Sequence, residues 1–341
     1  MFVALAALPA TAVAQACVGD VTDDGSINGA DLGALLASWG PCPDCRADLD
    51  RNGVVDGADL GALLGAWGEC PGVPSWATVV QYEPDAAVVT DPALRAVIVS
   101  SGHPWRVRDN ASQIELLLVP PGSFQMGCVM PSAWFSCSTT SLPVHAVTLT
   151  RPFYIGRYEV TQAQWTMAMG SNPSYFQSAS SQVAAAAVPD RPVERVSWNT
   201  VQGFLAATGF RLPTDAEWEF SCRAGTQSPF YNGSTWDPSV ADLAWYSDNA
   251  ANETHPVGGK SANALGLHDM LGNVWELVHD WYGPYSSGAQ VDPTGASSGT
   301  SRVRRGGSWF LSTVNVNSSY RIGIPPAYAS SDMGFRVARD P

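Results

Sequence analysis

Near its start the chain repeats itself at an offset of 28 residues, and that repeat limits what the first part can fold into. Asp20-Val-Thr-Asp-Asp-Gly-Ser-Ile-Asn-Gly-Ala-Asp31 aligns with Asp48-Leu-Asp-Arg-Asn-Gly-Val-Val-Asp-Gly-Ala-Asp59. Each copy runs into one apolar spacing, Leu32, Leu35, Leu36, Trp39 and then Leu60, Leu63, Leu64, Trp67, which lies on one helix face. Calcium takes about six to eight oxygens from a twelve-residue loop that turns sharply at a central glycine. Positions one, three and five offer Asp20, Thr22 and Asp24, then Asp48, Asp50 and Asn52. Gly25 and Gly53 take the turn, Ser26 and Val54 give a backbone carbonyl, and Asn28 with Asp31, or Asp56 with Asp59, complete each set. Thr22 is a weaker ligand than Asp50, so the second loop is the better site. Cys17 and Cys42 bracket the first copy, and Cys45 and Cys70 the second. Four cysteines allow three connectivities, and the symmetric expectation is Cys17–Cys42 with Cys45–Cys70. Bridges would support a module too small to bury much core.

A loop followed by a helix, with no helix before it and Asp at the last ligand, resembles the dockerin repeat. That resemblance implies a small all-α module over 17–70 that folds on calcium and docks to a cohesin-like or cell-surface partner. The docking surface would include loop positions ten and eleven, Gly29-Ala30 and Gly57-Ala58, while Trp39 and Trp67 are expected in the core.

Composition narrows the rest. The formal net charge of -13 argues against a nucleic-acid partner. Charged residues make only 14% of the chain while glycine (32) and proline (25) are plentiful, which suits a loop-rich globular protein. Phe2 to Ala14 is apolar but too short to span a bilayer, and Ala14-Gln15-Ala16 offers small residues where a signal peptidase cuts. Residues 1–16 are therefore expected to direct export to the periplasm, cell surface or medium, where disulfides persist. No membrane span is expected. Residues 71–112 read as a linker with a short helix begun by Asp91-Pro92, ahead of a large domain over 113–341. A strand is expected over Ile114 to Val119, and a helix beginning at Asp215 with Thr214 as its cap.

The large domain is carried by a run of blocks. Val119-Pro-Pro-Gly-Ser-Phe-Gln-Met-Gly127 comes first, then Phe153-Tyr-Ile-Gly-Arg-Tyr-Glu-Val-Thr161 and Arg211-Leu-Pro-Thr-Asp-Ala-Glu-Trp-Glu219. Leu265-Gly-Leu-His-Asp-Met-Leu-Gly-Asn-Val-Trp-Glu276, Arg304-Arg-Gly-Gly-Ser-Trp309 and Gly334-Phe-Arg336 follow. Together they resemble the formylglycine-generating enzymes, or sulfatase-modifying factors. The resemblance implies an α+β, C-type-lectin-like fold with little regular structure. It also implies calcium held by Asp269, Gly272, Val274 and Glu276, the middle two through backbone oxygen. No second calcium set is assigned; Asp248 and Asn249 are merely near. Trp198, Trp218, Trp275, Trp281 and Trp309 are expected to build core.

Enzymes of that family oxidise a sulfatase cysteine using copper(I) held by two cysteines, because soft thiolates suit that ion. Here the matching positions are Leu311 and Val316, and no cysteine occurs beyond Cys222, so copper chemistry is not expected. Cys128 and Cys137 read as a local disulfide and Cys222 as a buried thiol. Five histidines show no His-Glu-x-x-His spacing, and Ser308 lies in no Gly-x-Ser-x-Gly elbow. The leading expectation is a calcium-binding module of non-catalytic recognition. Its ligand face would run over 308–321 with Ser308, Trp309, Asn315, Asn317, Tyr320 and Arg321. An oxidase acting on sulfatase cysteines, or a structural surface component, are the rival readings.

Overall fold

The computed structural model describes residues 17–43, 45–70, 72–129, 137–235 and 240–341, so the expected export signal over 1–16 lies outside the described residues. The chain divides into two compact units between Asn110 and Ala111. No helix among the described residues is long and apolar enough to cross a membrane.

In the first unit each acidic repeat loop runs into a helix, α1 (Gly29–Ala37) and α2 (Gly57–Gly65). Both begin at a capping box, in which Asn28 or Asp56 accepts from the backbone while Asp31 or Asp59 reaches back. The unit is not all-helical. Ser26–Ile27 pairs antiparallel with Gly68–Glu69, and Gly40–Pro41 with Val54–Val55, so the tail of each repeat lies along the loop of the other. The exchange decides the disulfides. The Cys70 N–H donates to Gly25 O at 2.9 Å, and the Cys42 N–H to Gly53 O at 2.9 Å. Each trailing cysteine is thereby delivered to the leading cysteine of the opposite copy. The bridges are Cys17–Cys70 and Cys42–Cys45, in place of the expected Cys17–Cys42 and Cys45–Cys70.

The segment read as a linker belongs to this unit. It contains β1 (Ala77–Gln81), α3 (Pro92–Ser100), capped by Asp91 as expected, and β2 (Arg106–Asp109), antiparallel to β1. Val79 and Tyr82 join Ile27, Leu35, Val55 and Leu63 in one core, because two short repeats cannot cover their own apolar groups. Only Leu35 and Leu63 of the helical stripes are fully buried. Trp39 and Trp67 are 51% and 50% exposed, with Leu36 and Leu64 beside them on the surface, so the expectation that the tryptophans pack in the core does not hold.

The second unit is mixed α and β. The apolar run before Pro120 forms β3 (Glu115–Val119), followed by β4 (Gly122–Met126), β5 (His145–Leu149) and β6 (Phe153–Gly156). β6 pairs antiparallel with β3 and, on its other side, with Ala338–Arg339; β4 pairs with β5. A second sheet holds β7 (Trp275–Trp281), β8 (Arg302–Arg305) and β9 (Arg321–Ile324) in antiparallel order, with Met333–Gly334 parallel to β7. Helices α4 (Gln162–Met169), α5 (Trp198–Thr208) and α6 (Asp215–Arg223) each start at a capping box, on Thr161, Ser197 and Thr214. Trp218, Trp275 and Trp309 are buried as expected. Trp198 and Trp281 are half-buried instead and hold the Arg302 guanidinium between them, 3.6 and 3.4 Å from the two ring centroids.

Candidate metal and ligand sites

The two repeat loops bring their carboxylates together. Ligand atoms of Asp20, Asp24 and Asp31 lie within 4.8 Å of one another, as do those of Asp48, Asp50 and Asp59. Backbone donors set this geometry: Asp20 accepts from the N–H groups of Asp24 (3.0 Å) and Gly25 (2.8 Å), and Asp48 from Asn52 (3.1 Å) and Gly53 (2.6 Å). Burial opposes ionisation of Asp31 and Asp59, yet converging N–H groups hold both below the ordinary carboxylate range. Asp20 differs, since burial raises it despite two donors. The Thr22 hydroxyl donates to Asp31 at 2.9 Å, whereas the exposed Asp50 accepts from the Asn52 N–H at 3.0 Å and from Asn52 Nδ2 at 2.9 Å. Asn28 and Asp56 cap α1 and α2, and Ser26 and Val54 sit in the paired strands.

The family-type turn of the second unit is arranged otherwise than the sequence suggests. Asp269 is buried; its Oδ2 accepts from the Gly258 N–H at 2.6 Å, and its Oδ1 is sealed away without a partner. Burial pushes this carboxyl up to about 6. Glu276 is no open ligand. Its oxygens take Arg336 Nε at 2.7 Å, Arg336 Nη2 at 2.6 Å and Trp218 Nε1 at 2.6 Å. Sequence reasoning passed over Glu159, which accepts from Asn273 Nδ2 (2.6 Å) and the Val274 N–H (3.0 Å), and which burial and the neighbouring Asp269 push well up. Its signal was present, in an acidic residue inside an otherwise apolar Tyr158-Glu-Val160. Three buried carboxylates, Glu159, Asp269 and Glu276, thus act on the Arg336 guanidinium, and the Lys260 amine also acts on Asp269.

Over 308–321 the expected ligand face comes apart. Ser308 is fully buried and donates to Asp332 at 3.3 Å, Trp309 donates to Ser331 O at 3.1 Å, and Arg321 is buried against Asp215. Asn317 is buried too and organises the turn, its Oδ1 accepting from the N–H groups of Ser319 and Tyr320. Part of the polar content that suggested recognition thus satisfies backbone groups in a segment with only one short 3-10 turn, Thr313–Asn315. Asn315, Asn317 and Tyr320 still line one cavity of about 230 Å³ with Ser138, Ser141 and Ser319, and no charged group among the described residues lines it. Phe310 (63% exposed) and Tyr175 (65%) end a relay of rings through Trp309 and Phe176, with centroids 5.0 to 5.6 Å apart. Sequence reasoning missed both, since a single exposed aromatic leaves no periodic trace. Val316 is fully buried beneath Gly307, where an added methyl would come within 2.8 Å of it. Leu311 is half-buried. Cys222 is the single free thiol of the seven cysteines, fully buried and pushed up to about 12 by that burial, and Cys128–Cys137 is bridged as expected.

Residues 102–341 match the sulfatase-modifying factor enzyme 1-like domain. The chain is 28% identical over 305 residues to the formylglycine-generating enzyme of Streptomyces coelicolor, covering 72% of this chain and 94% of that one. It is 31% identical over 263 residues to the chaperone protein LppX of Paenibacillus barcinonensis, covering 60% and 86%. Among solved structures, variable protein 1 of Treponema denticola matches with a TM-score of 0.59 at 28% identity, over 67% of this chain and 95% of that one. PvdO of Pseudomonas aeruginosa matches with a TM-score of 0.57 at 28% identity, over 69% and 98%.

Proposed function

The chain belongs to the family of sulfatase-modifying factor enzyme 1-like domains, and from that premise we propose that it is a non-catalytic, exported recognition protein with a calcium-dependent docking handle. One observation carries the loss of catalysis. Hydrocarbon occupies both positions where the family's oxidases place copper-binding thiolates, and the remaining free thiol is buried and held protonated. By the family likeness the domain is C-type-lectin-like. Its recognition surface is the uncharged cavity of Asn315, Asn317 and Tyr320 with the exposed Phe310 and Tyr175, and its ligand is neutral and polar. Three disulfides support an oxidising destination.

The repeats supply the handle. Calcium bound by the two acidic loops orders α1 and α2, and the exposed Leu36, Trp39, Leu64 and Trp67 then face a cohesin-like or cell-surface partner. A further calcium at Asp269 would satisfy its orphaned oxygen. The deciding experiment incubates the protein with copper and a Cys-x-Pro-x-Arg peptide and follows peptide mass. No thiol-to-aldehyde change is expected, and conversion would return the chain to the oxidases.

A further inference from the structure

A second cavity, of about 210 Å³, lies in the second unit apart from segment 308–320. Its walls are largely apolar, from Met126, Trp281, Pro284, Pro293 and Ala296. Two nearly fully buried polar side chains, Asp280 and Arg321, also line it. Arg321 Nε lies 2.9 Å from an Asp215 carboxylate oxygen, an ion pair without a hydrogen bond, and Nη1 donates to the carbonyls of Thr140 and Gly283; no hydrogen bond from Nη2 is found among the described residues. Asp280 Oδ2 accepts from the Asp215 N–H at 2.9 Å, and no partner for Oδ1 is found among the described residues. Gly295, at φ 79°, keeps that oxygen clear, since a methyl there would sit 2.6 Å from it. Volume, apolar walls and a few convergent polar atoms are the marks of a small-molecule site.

The charges indicate which molecule. Arg223 pairs with Glu219 (2.7 Å), Glu219 with Arg305 (2.9 Å), Arg305 with Asp215, and Asp215 with Arg321 (2.9 Å). This buried chain alternates in sign and ends on a cation, with three guanidiniums against two carboxylates. Asp280 forms no ion pair with Arg321 among the described residues, and Arg321, one of the two cations that end this chain, lines the cavity. We propose that this cavity binds a small monocarboxylate with a compact apolar body, one oxygen on Arg321 Nη2 and the other on the Asp280 carboxyl in its protonated form. Burial, then the Asp215 charge, pushes Asp280 up to about 8, which makes it a donor at neutral pH. The groups facing it are Asp215 and Glu217 from α6, Arg302 from β8 and Arg321 from β9, with His145 and Tyr285 on the cavity wall.

The site is independent of the recognition surface proposed above, and its test is separate. Full-length protein is titrated calorimetrically with phenylacetate and with phenylacetamide, on either side of the Asp280 midpoint of about 8. Saturable binding of the acid is expected below that midpoint, at least about tenfold tighter than the amide, and weakening by about tenfold or more above it. A peptide ending in phenylalanine, run beside its C-terminal amide, tells a chain terminus from a free acid as the source of the carboxylate. Ala296→Trp, at the exposed mouth, should abolish binding with circular dichroism unchanged. Asp280→Asn keeps a donor and should bind without the pH dependence. Equal binding of acid and amide, binding that survives Ala296→Trp, or no saturable binding of the acid would each overturn the assignment.

Discussion

Arg336 decides what Glu276 can do. With its guanidinium on both carboxylate oxygens, the pair is a buried ion pair, and truncating one member strands the other. Arg336→Met is expected to cost about 3–5 kcal/mol in denaturant unfolding of the second unit. A loss below about 1 kcal/mol would mean that Glu276 has another counter-charge, such as a bound cation. Asp280 makes the opposite kind of statement. Its folded value of about 8 lies above an unfolded value near ~3.9, so the native state holds a proton that the unfolded chain releases. Its contribution to stability is therefore full below the unfolded value, declines as pH rises, and is lost above about 8. Asp280→Asn does not titrate. Its melting temperature relative to the parent should climb across that window and level off beyond it, and a flat difference would place Asp280 in an ordinary, ionised state.

Between elements, the exchanged tails of the two repeats govern the first unit. Non-reducing peptide mapping should recover Cys17 linked to Cys70; recovery of Cys17 with Cys42 would refute the exchange. Replacing the Cys17–Cys70 pair by serine removes a closure of sequence separation 53 and should cost up to about 4 kcal/mol. The Cys42–Cys45 bridge closes a separation of only 3, so its loss should matter far less. Trp39→Ala with Trp67→Ala, at half-exposed positions, should change stability by no more than about 0.5 kcal/mol. A larger loss would mean that the helices bury those rings against something else.

At the scale of the molecule, the two units can be tested separately. Calcium added to chelator-treated protein should raise the far-UV helical signal through the repeats, and Asp48→Ala with Asp59→Ala should abolish half or more of that rise. Unchanged helix in the variant would remove calcium from the folding of the handle. Near-ultraviolet signals from Trp218 and Trp275, in the core of the second unit, should be little altered by the same variant.

The clustered carboxylates of the two loops, the capped helices α3 and α6, strand β3 and the family itself were legible in the sequence, because each rests on local spacing or on short blocks of neighbours. Charged and polar roles were not. The sequence shows Glu276 as an acid, but only folding brings Arg336 and Trp218 onto it, and Ser308 reads as a recognition residue until its bond to Asp332 is seen to be internal. Disulfide pairing likewise depended on which tail lies along which loop. Local pattern follows from bonded geometry and periodicity, whereas a side chain's partner is chosen by contacts between segments far apart in the chain, and the tertiary structure alone decides those.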